Sequence, residues 1–164
     1  MIQFSHSDKN YWMIDKNPLP QWDPYAENVL GRDIKLLRDG NSCTVVALQC
    51  VTGNTYRQCY EYMKKFGRPR GKGMTTKEVC TALESFKKFK VVKGEYSRSN
   101  RITLNQFIKK HPKGKYYLLH RGHAFAVIDG VVYDHTNGKR RQITCAYRVY
   151  SPKDLEKLIR NKTK

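Results

Sequence analysis

The apolar positions of this chain change period about two thirds of the way along it. In the first part they recur at helical spacing. Tyr56, Cys59, Tyr60 and Met63 fall on one face of a helix running from Thr55 to Phe66, with Thr55 as cap and Gly67 beyond its end. Val79, Leu83 and Phe86 mark another helix, reaching to about Lys88 and opened by a capping box between Thr75 and Glu78. Between Ser42 and Gly53 nearly every position is small or apolar. A buried core helix, capped by Asn41 or Ser42 and stopped by Gly53, accounts for that, although its β-branched content leaves a strand as the alternative. Thr103 opens a short helix from Leu104 to Lys110, stopped by His111-Pro112.

The last third reads as strands: Lys115 to His120, Ala124 to Ile128, Val131 to Asp134, and Ile143 to Tyr150. Asp129-Gly130 between two of them is a strong two-residue hairpin signal. Ser151-Pro152 starts a final helix. Residues 1 to about 38 form an irregular arm broken by Asn17-Pro18-Leu19-Pro20 and Trp22-Asp23-Pro24. Residues 39 to 164 then make one domain, since 164 residues suit a single hydrophobic core. The expected class is α+β, with N-terminal helices packed on a C-terminal antiparallel sheet.

Charge narrows the partners. Thirty-two Lys and Arg against 14 Asp and Glu give a formal net charge of +18. The aromatic share of 12% argues for a folded core over a disordered basic tail. Such a surface attracts a nucleic acid or an acidic partner. The strongest local candidates for polyanion contact are the Gly-rich loop with Arg68, Arg70 and Lys72, and the run Lys139, Arg140 and Arg141. That loop lacks the spacing of a P-loop. No apolar run approaches a membrane span and no signal-peptide pattern opens the chain, so no membrane partner is expected and the host-cell cytoplasm is the expected location. Five widely spaced cysteines, without C-x-x-C, point to neither a disulfide framework nor a zinc ribbon.

Candidate chemistry comes from two places. Cys43 follows the turn Asp39-Gly40-Asn41-Ser42 and stands in the first turn of the apolar helix, where the helix terminus and a nearby imidazole would favour a thiolate. His123 opens an apolar strand after Gly122. If Asp129-Gly130 is the hairpin turn, Ile128 pairs with Val131, Phe125 faces Asp134, and His123 faces Thr136. Asp134 then lies diagonal to His123 on the same face, placed to orient the ring. His120, His123 and His135 offer a competing zinc reading, but residues three apart on one strand point to opposite faces and no further ligand falls at a matching offset, so no metal or other cofactor is expected.

Asp39-Gly40-Asn41-Ser42-Cys43 leading a helix, followed by Gly122-His123-Ala124-Phe125-Ala126-Val127 and Val132-Tyr133-Asp134, resembles the papain-like cysteine peptidase superfamily. The likeness spans about residues 37 to 150 and is nearest to the compact bacteriocin-processing peptidases, with ovarian-tumour-type deubiquitinase character in Asp-Gly-Asn before the Cys. It implies a papain-like fold and a thiol hydrolase that cleaves a peptide or isopeptide bond in a protein substrate, or deamidates glutamine. Cys43 would be the nucleophile, His123 its base and Asp134 the orienting acid. The oxyanion would sit against the Cys43 N–H and one further donor; where the superfamily places a glutamine six residues before the Cys, this chain has Leu37, so that donor is Asn41, the nearest amide, or a backbone N–H of the Asp39 to Asn41 turn. The compact, basic chain fits a phage- or virus-encoded protein, including one carried in the virion. The rival expectation is a basic, non-enzymatic module of the same fold that binds nucleic acid or a host protein.

Overall fold

A computed structural model describes residues 13–14, 41–69, 71–87, 90–134 and 142–162. Among them the chain forms an α+β domain with five helices. Its main sheet is antiparallel and six-stranded, in the order β1-β6-β5-β4-β8-β2. The strands are β1 (Met13–Ile14), β2 (Lys90–Lys93), β4 (Lys115–His120), β5 (His123–Ile128), β6 (Val131–Asp134) and β8 (Cys145–Tyr150). A separate pair joins β3 (Ile102–Thr103) to β7 (Gln142–Ile143).

The helix that carries Cys43, α1 (Cys43–Thr52), is the heart of the fold. Thr44 to Val51 are all buried, and Gly53 ends the helix at φ +71, a conformation costly for any residue with a Cβ. This apolar stretch is therefore a helix, and the strand alternative falls. Ser42 is its N-cap but makes no side-chain cap bond; its carbonyl accepts from the Val45 and Val46 N–H groups instead. The next two helices, α2 (Tyr56–Lys65) and α3 (Thr76–Glu84), each start on a complete capping box, Thr55 with Gln58 and Thr75 with Glu78. Helix α3 stops at Glu84, one turn short of the expected Lys88, so Phe86 packs against the core from outside the helix. A third capping box, Thr103 with Gln106, opens α4 (Leu104–Lys110). Ser151 and Asp154 bond reciprocally at the start of α5 (Pro152–Lys162).

Strand alternation divides the core. On one face Tyr117, Leu119, Ala124, Ala126, Ile128, Tyr133, Cys145, Tyr147 and Val149 meet α1, α2 and α3. On the other, Tyr116, Leu118, Phe125, Val127, Val132 and Ala146 meet Leu104 and Phe107 of α4, with Tyr96 and Ile143. Burial of apolar surface on both faces explains why the central strands read as continuous hydrophobic runs. The stretch expected as one strand from Ile143 to Tyr150 is broken at Thr144, whose N–H and hydroxyl both bond to the Leu119 carbonyl.

Two tight turns set the registers that matter for the site. Asp129-Gly130, at φ +49 and +80, joins β5 to β6, with Ile128 opposite Val131, Val127 opposite Val132 and Ala126 opposite Tyr133. This is the register expected from the sequence. Arg121-Gly122, at φ +33 and +75, makes an equally tight turn between β4 and β5. Of the N-terminal arm, the described residues Met13–Ile14 pair along β6, with Met13 opposite Asp134.

Candidate active site

The Arg121-Gly122 turn makes His123 the first residue of β5, and α1 lies across that strand with Cys43 as its first residue. The two side chains meet: His123 hydrogen-bonds the Cys43 thiol, whose sulfur also accepts from the backbone N–H groups of Ala124 and Thr44. Burial pushes this thiol up, but the His123 hydrogen bond, the Ala124 N–H, the imidazolium charge and the Thr44 N–H together hold it below its ordinary value. Each of these contacts favours the sulfur anion over the thiol.

Two other cysteines show what the chain does to a thiol without such partners. Burial drives Cys59 up to about 12, and the Thr52 side chain offsets only part of that. Cys145 is pushed up to about 11 by burial and by the neighbouring Cys80. The downward shift belongs to the place Cys43 occupies, not to burial in general.

The helix end is fixed from below. Tyr117, fully buried on β4, donates its hydroxyl to the Thr44 carbonyl at 3.0 Å. Its own ionisation is pushed well up, by burial first and then by the Cys43 charge, so it remains a donor across the working pH range. Arg68 is buried, donates from Nη2 to the Asn41 carbonyl at 2.7 Å and lies 5.3 Å from the Tyr60 ring centroid. It therefore stands inside the fold, bracing the turn ahead of Cys43, while Lys72 is exposed. Asn41, the amide expected at the oxyanion position, sits two residues before Cys43 and gives one Nδ2–H to the Gly71 carbonyl at 2.8 Å. That bond ties the turn to the Gly-rich loop.

His123 stacks on Phe125, with ring centroids 6.0 Å apart and planes 19° apart. Extending the β5–β6 register by one step sets Asp134 opposite Phe125 and diagonal to His123. The backbone of Asp134 thus occupies the expected place; its side chain lies outside the described residues, as do Thr136, Arg70, Lys139, Arg140 and Arg141. One expectation is corrected. His120 and His123 do not point apart, because the tight turn puts them on two strands as a cross-strand pair. His120 donates its Nδ1–H to the Gln142 carbonyl at 2.6 Å. Among the described residues no group of three His, Cys, Asp or Glu is arranged to hold a metal ion.

The Ala124 N–H is not legible in the sequence, since backbone donors carry no residue signature. Tyr117 was legible only as a core aromatic. The constellation can supply a thiolate, an imidazole to shuttle a proton, and the Cys43 N–H at the helix N-terminus for a developing oxyanion. No known protein family matches the chain, and no curated protein or solved structure shows significant similarity to it.

Proposed function

We propose that the protein is a papain-like thiol hydrolase acting on an amide carbonyl in a protein substrate, by cleaving a peptide or isopeptide bond or by deamidating glutamine. The observation that carries this reading is the Cys43 thiol at the N-terminus of a buried helix, lowered against its burial by His123. Such an environment is that of a nucleophile, because an inert structural thiol moves the other way on burial.

In the proposed reaction the Cys43 sulfur attacks the carbonyl carbon, and a C–S bond forms as the carbonyl π bond gives its electron pair to oxygen. The Cys43 N–H and the Asn41 region would stabilise that oxyanion. Collapse expels the amine, which takes a proton from His123 and leaves a thioester. Water, deprotonated by the same imidazole, then attacks the thioester; the C–S bond breaks and a carboxylic acid is released. Asp134 would orient the ring throughout. Peptidase and deamidase differ only in whether the leaving amine is a chain segment or ammonia.

A peptide library incubated with the protein and read by mass spectrometry separates the two and tests both. New termini identify a peptidase, and glutamate in place of glutamine identifies a deamidase. Either product should vanish in Cys43→Ala and in His123→Ala. Products that persist in both variants would overturn the reading.

A further inference from the structure

At the β4–β5 turn that leads into His123 lies a cavity of about 560 Å³, lined by Thr76, Arg98, Arg101, Arg121, Gly122 and Thr144. We propose that this cavity is an acidic-peptide subsite, in which the three arginines hold Asp or Glu carboxylates of a protein substrate while its scissile amide lies against Cys43. Its place in catalysis rests on the thiol-hydrolase reading; the binding of an acidic peptide does not.

Placement is the first argument. Gly122 is the residue before His123, and Arg121 precedes it in the same turn, so the cavity wall runs directly into the catalytic strand. Thr76 is the first residue of α3, and Thr144 sits at the break between β7 and β8, bonded to Leu119. The cavity therefore shares the His123 end of the sheet.

Its chemistry is the second. Among the described residues every charged group lining it is an arginine and no carboxylate does so. Lysine outnumbers arginine in the chain, so an all-arginine lining departs from the general basic surface. A guanidinium presents a planar fork that matches a carboxylate with two parallel hydrogen bonds, which a lysine ammonium does not. Thr76 and Thr144 add hydroxyls. The volume lies within the range of about 300–1,000 Å³ typical of ligand pockets. Among the described residues no aromatic ring lines it to stack a base, which favours peptide carboxylates over single-stranded nucleic acid.

Preorganisation is the third. The loop bearing Arg98 and Arg101 is braced at several points: the Gly94 N–H donates to Ala146 (2.7 Å), Tyr96 Oη bonds His111 Nε2 (2.8 Å), the Ser97 N–H donates to Asn100 (3.2 Å), and Arg101 Nη1 donates to Gln142 Oε1 (2.9 Å). Arg121 is held at φ +33 by the tight turn, an unfavoured conformation for a residue with a side chain. The guanidinium stems thus start from fixed positions, which lowers the cost of ordering them on binding.

The test uses full-length Cys43→Ala protein, so that ligand is bound and not consumed, and fluorescence anisotropy with three probes: a glutamate-rich peptide, its glutamine counterpart, and oligothymidylate of the same charge. Arg98→Glu with Arg121→Glu alters exposed side chains, so folding should be retained. Lys109→Glu with Lys153→Glu makes the same change of net charge near the Asp129-Gly130 end of the sheet. The proposal expects the glutamate peptide to bind more tightly than both other probes. The arginine reversals should weaken it about tenfold or more, as loss of charged hydrogen bonds implies, and the lysine reversals should leave it within about twofold. Equal weakening by both pairs would reduce the effect to long-range charge and overturn the proposal. So would equal binding of the glutamine peptide, or tighter arginine-dependent binding of the oligonucleotide. Alkylation of Cys43 in the chain with its native cysteine separates this proposal from the hydrolase reading: an inert Cys43 with arginine-dependent peptide binding would sink the catalysis and leave the subsite standing.

Discussion

Replacing Tyr117 with Phe removes one hydroxyl and nothing else, from a side chain with no solvent exposure. That hydroxyl joins the middle of the sheet to the first turn of α1 through the Thr44 carbonyl, at 3.0 Å. The carbonyl belongs to a helix and keeps its bond from the N–H four residues on, so it is not left unsatisfied. The loss is then one neutral hydrogen bond, about 0.5–1.5 kcal/mol, and not the larger penalty of an orphaned buried group. In a chain of 164 residues a loss of about 1 kcal/mol lowers the midpoint of thermal unfolding by roughly 2–4 °C. The effect on chemistry should go further than this small cost. Thr44 also gives its N–H to the Cys43 sulfur, so a looser first turn weakens one of the contacts that hold the thiol down. Tyr117→Phe is therefore expected to melt a few degrees lower and to shift Cys43 alkylation toward higher pH, while remaining folded. Differential scanning calorimetry and a pH series of alkylation rates read the two effects. An unchanged melting midpoint together with an unchanged alkylation profile would refute the claim that this hydroxyl anchors the turn bearing Cys43.

Other consequences are separable. Arg121→Asn, which suits positive φ better, should raise the thermal midpoint by a few degrees through relief of about 1 kcal/mol of backbone strain; a lower midpoint would mean that the arginine side chain contributes more than the turn costs. Thr75→Ala removes the α3 capping box and should cost about 1 kcal/mol in a denaturant titration, whereas Thr81→Ala, within the same helix, should cost less. Acid should loosen α5. Burial raises the Asp154 carboxyl, but the Ser151 hydroxyl and N–H and nearby lysines bring its net position below the ordinary value. Its folded pKa is thus depressed, so its contribution is present above the unfolded value and lost as pH falls through the folded one. Protection of the α5 amides, taken as the observed exchange rate against the intrinsic rate at each pH, should fall as pH drops below about 4, and Asp154→Asn should flatten that dependence.

Much of the site's frame was legible in the sequence because it depends on short-range chemistry. Gly53, with its positive φ, marked where α1 ends, and Thr75 with Glu78 marked where α3 begins. Asp129-Gly130 fixed a hairpin register from which the position of Asp134 followed. What escaped notice depends on tertiary context. Arg121-Gly122 forms as tight a turn as Asp129-Gly130, but arginine gives no signal for positive φ, and so His120 and His123 were expected to face apart. Strand β2, Lys90–Lys93, has mostly exposed residues and owes its conformation to pairing with β8. Arg68, in a loop of basic residues that reads as solvent-exposed, is buried because the Asn41 carbonyl and the Tyr60 ring receive its guanidinium. The arginine-lined cavity draws on residues from four separate stretches of chain, which no local pattern brings together.

The central claim is that Cys43 alone among five cysteines is a thiolate nucleophile paired with His123. The pH dependence of iodoacetamide labelling of each cysteine in the native protein, resolved by mass spectrometry, tests it most directly. An unperturbed thiol titrates at about 8.5. The account predicts that Cys43 reacts with a midpoint below that value, that Cys59 and Cys145 stay inert through neutral pH, and that His123→Ala moves the Cys43 midpoint upward as burial is left unopposed. A Cys43 as unreactive as Cys59, or one whose profile is the same without His123, would contradict it.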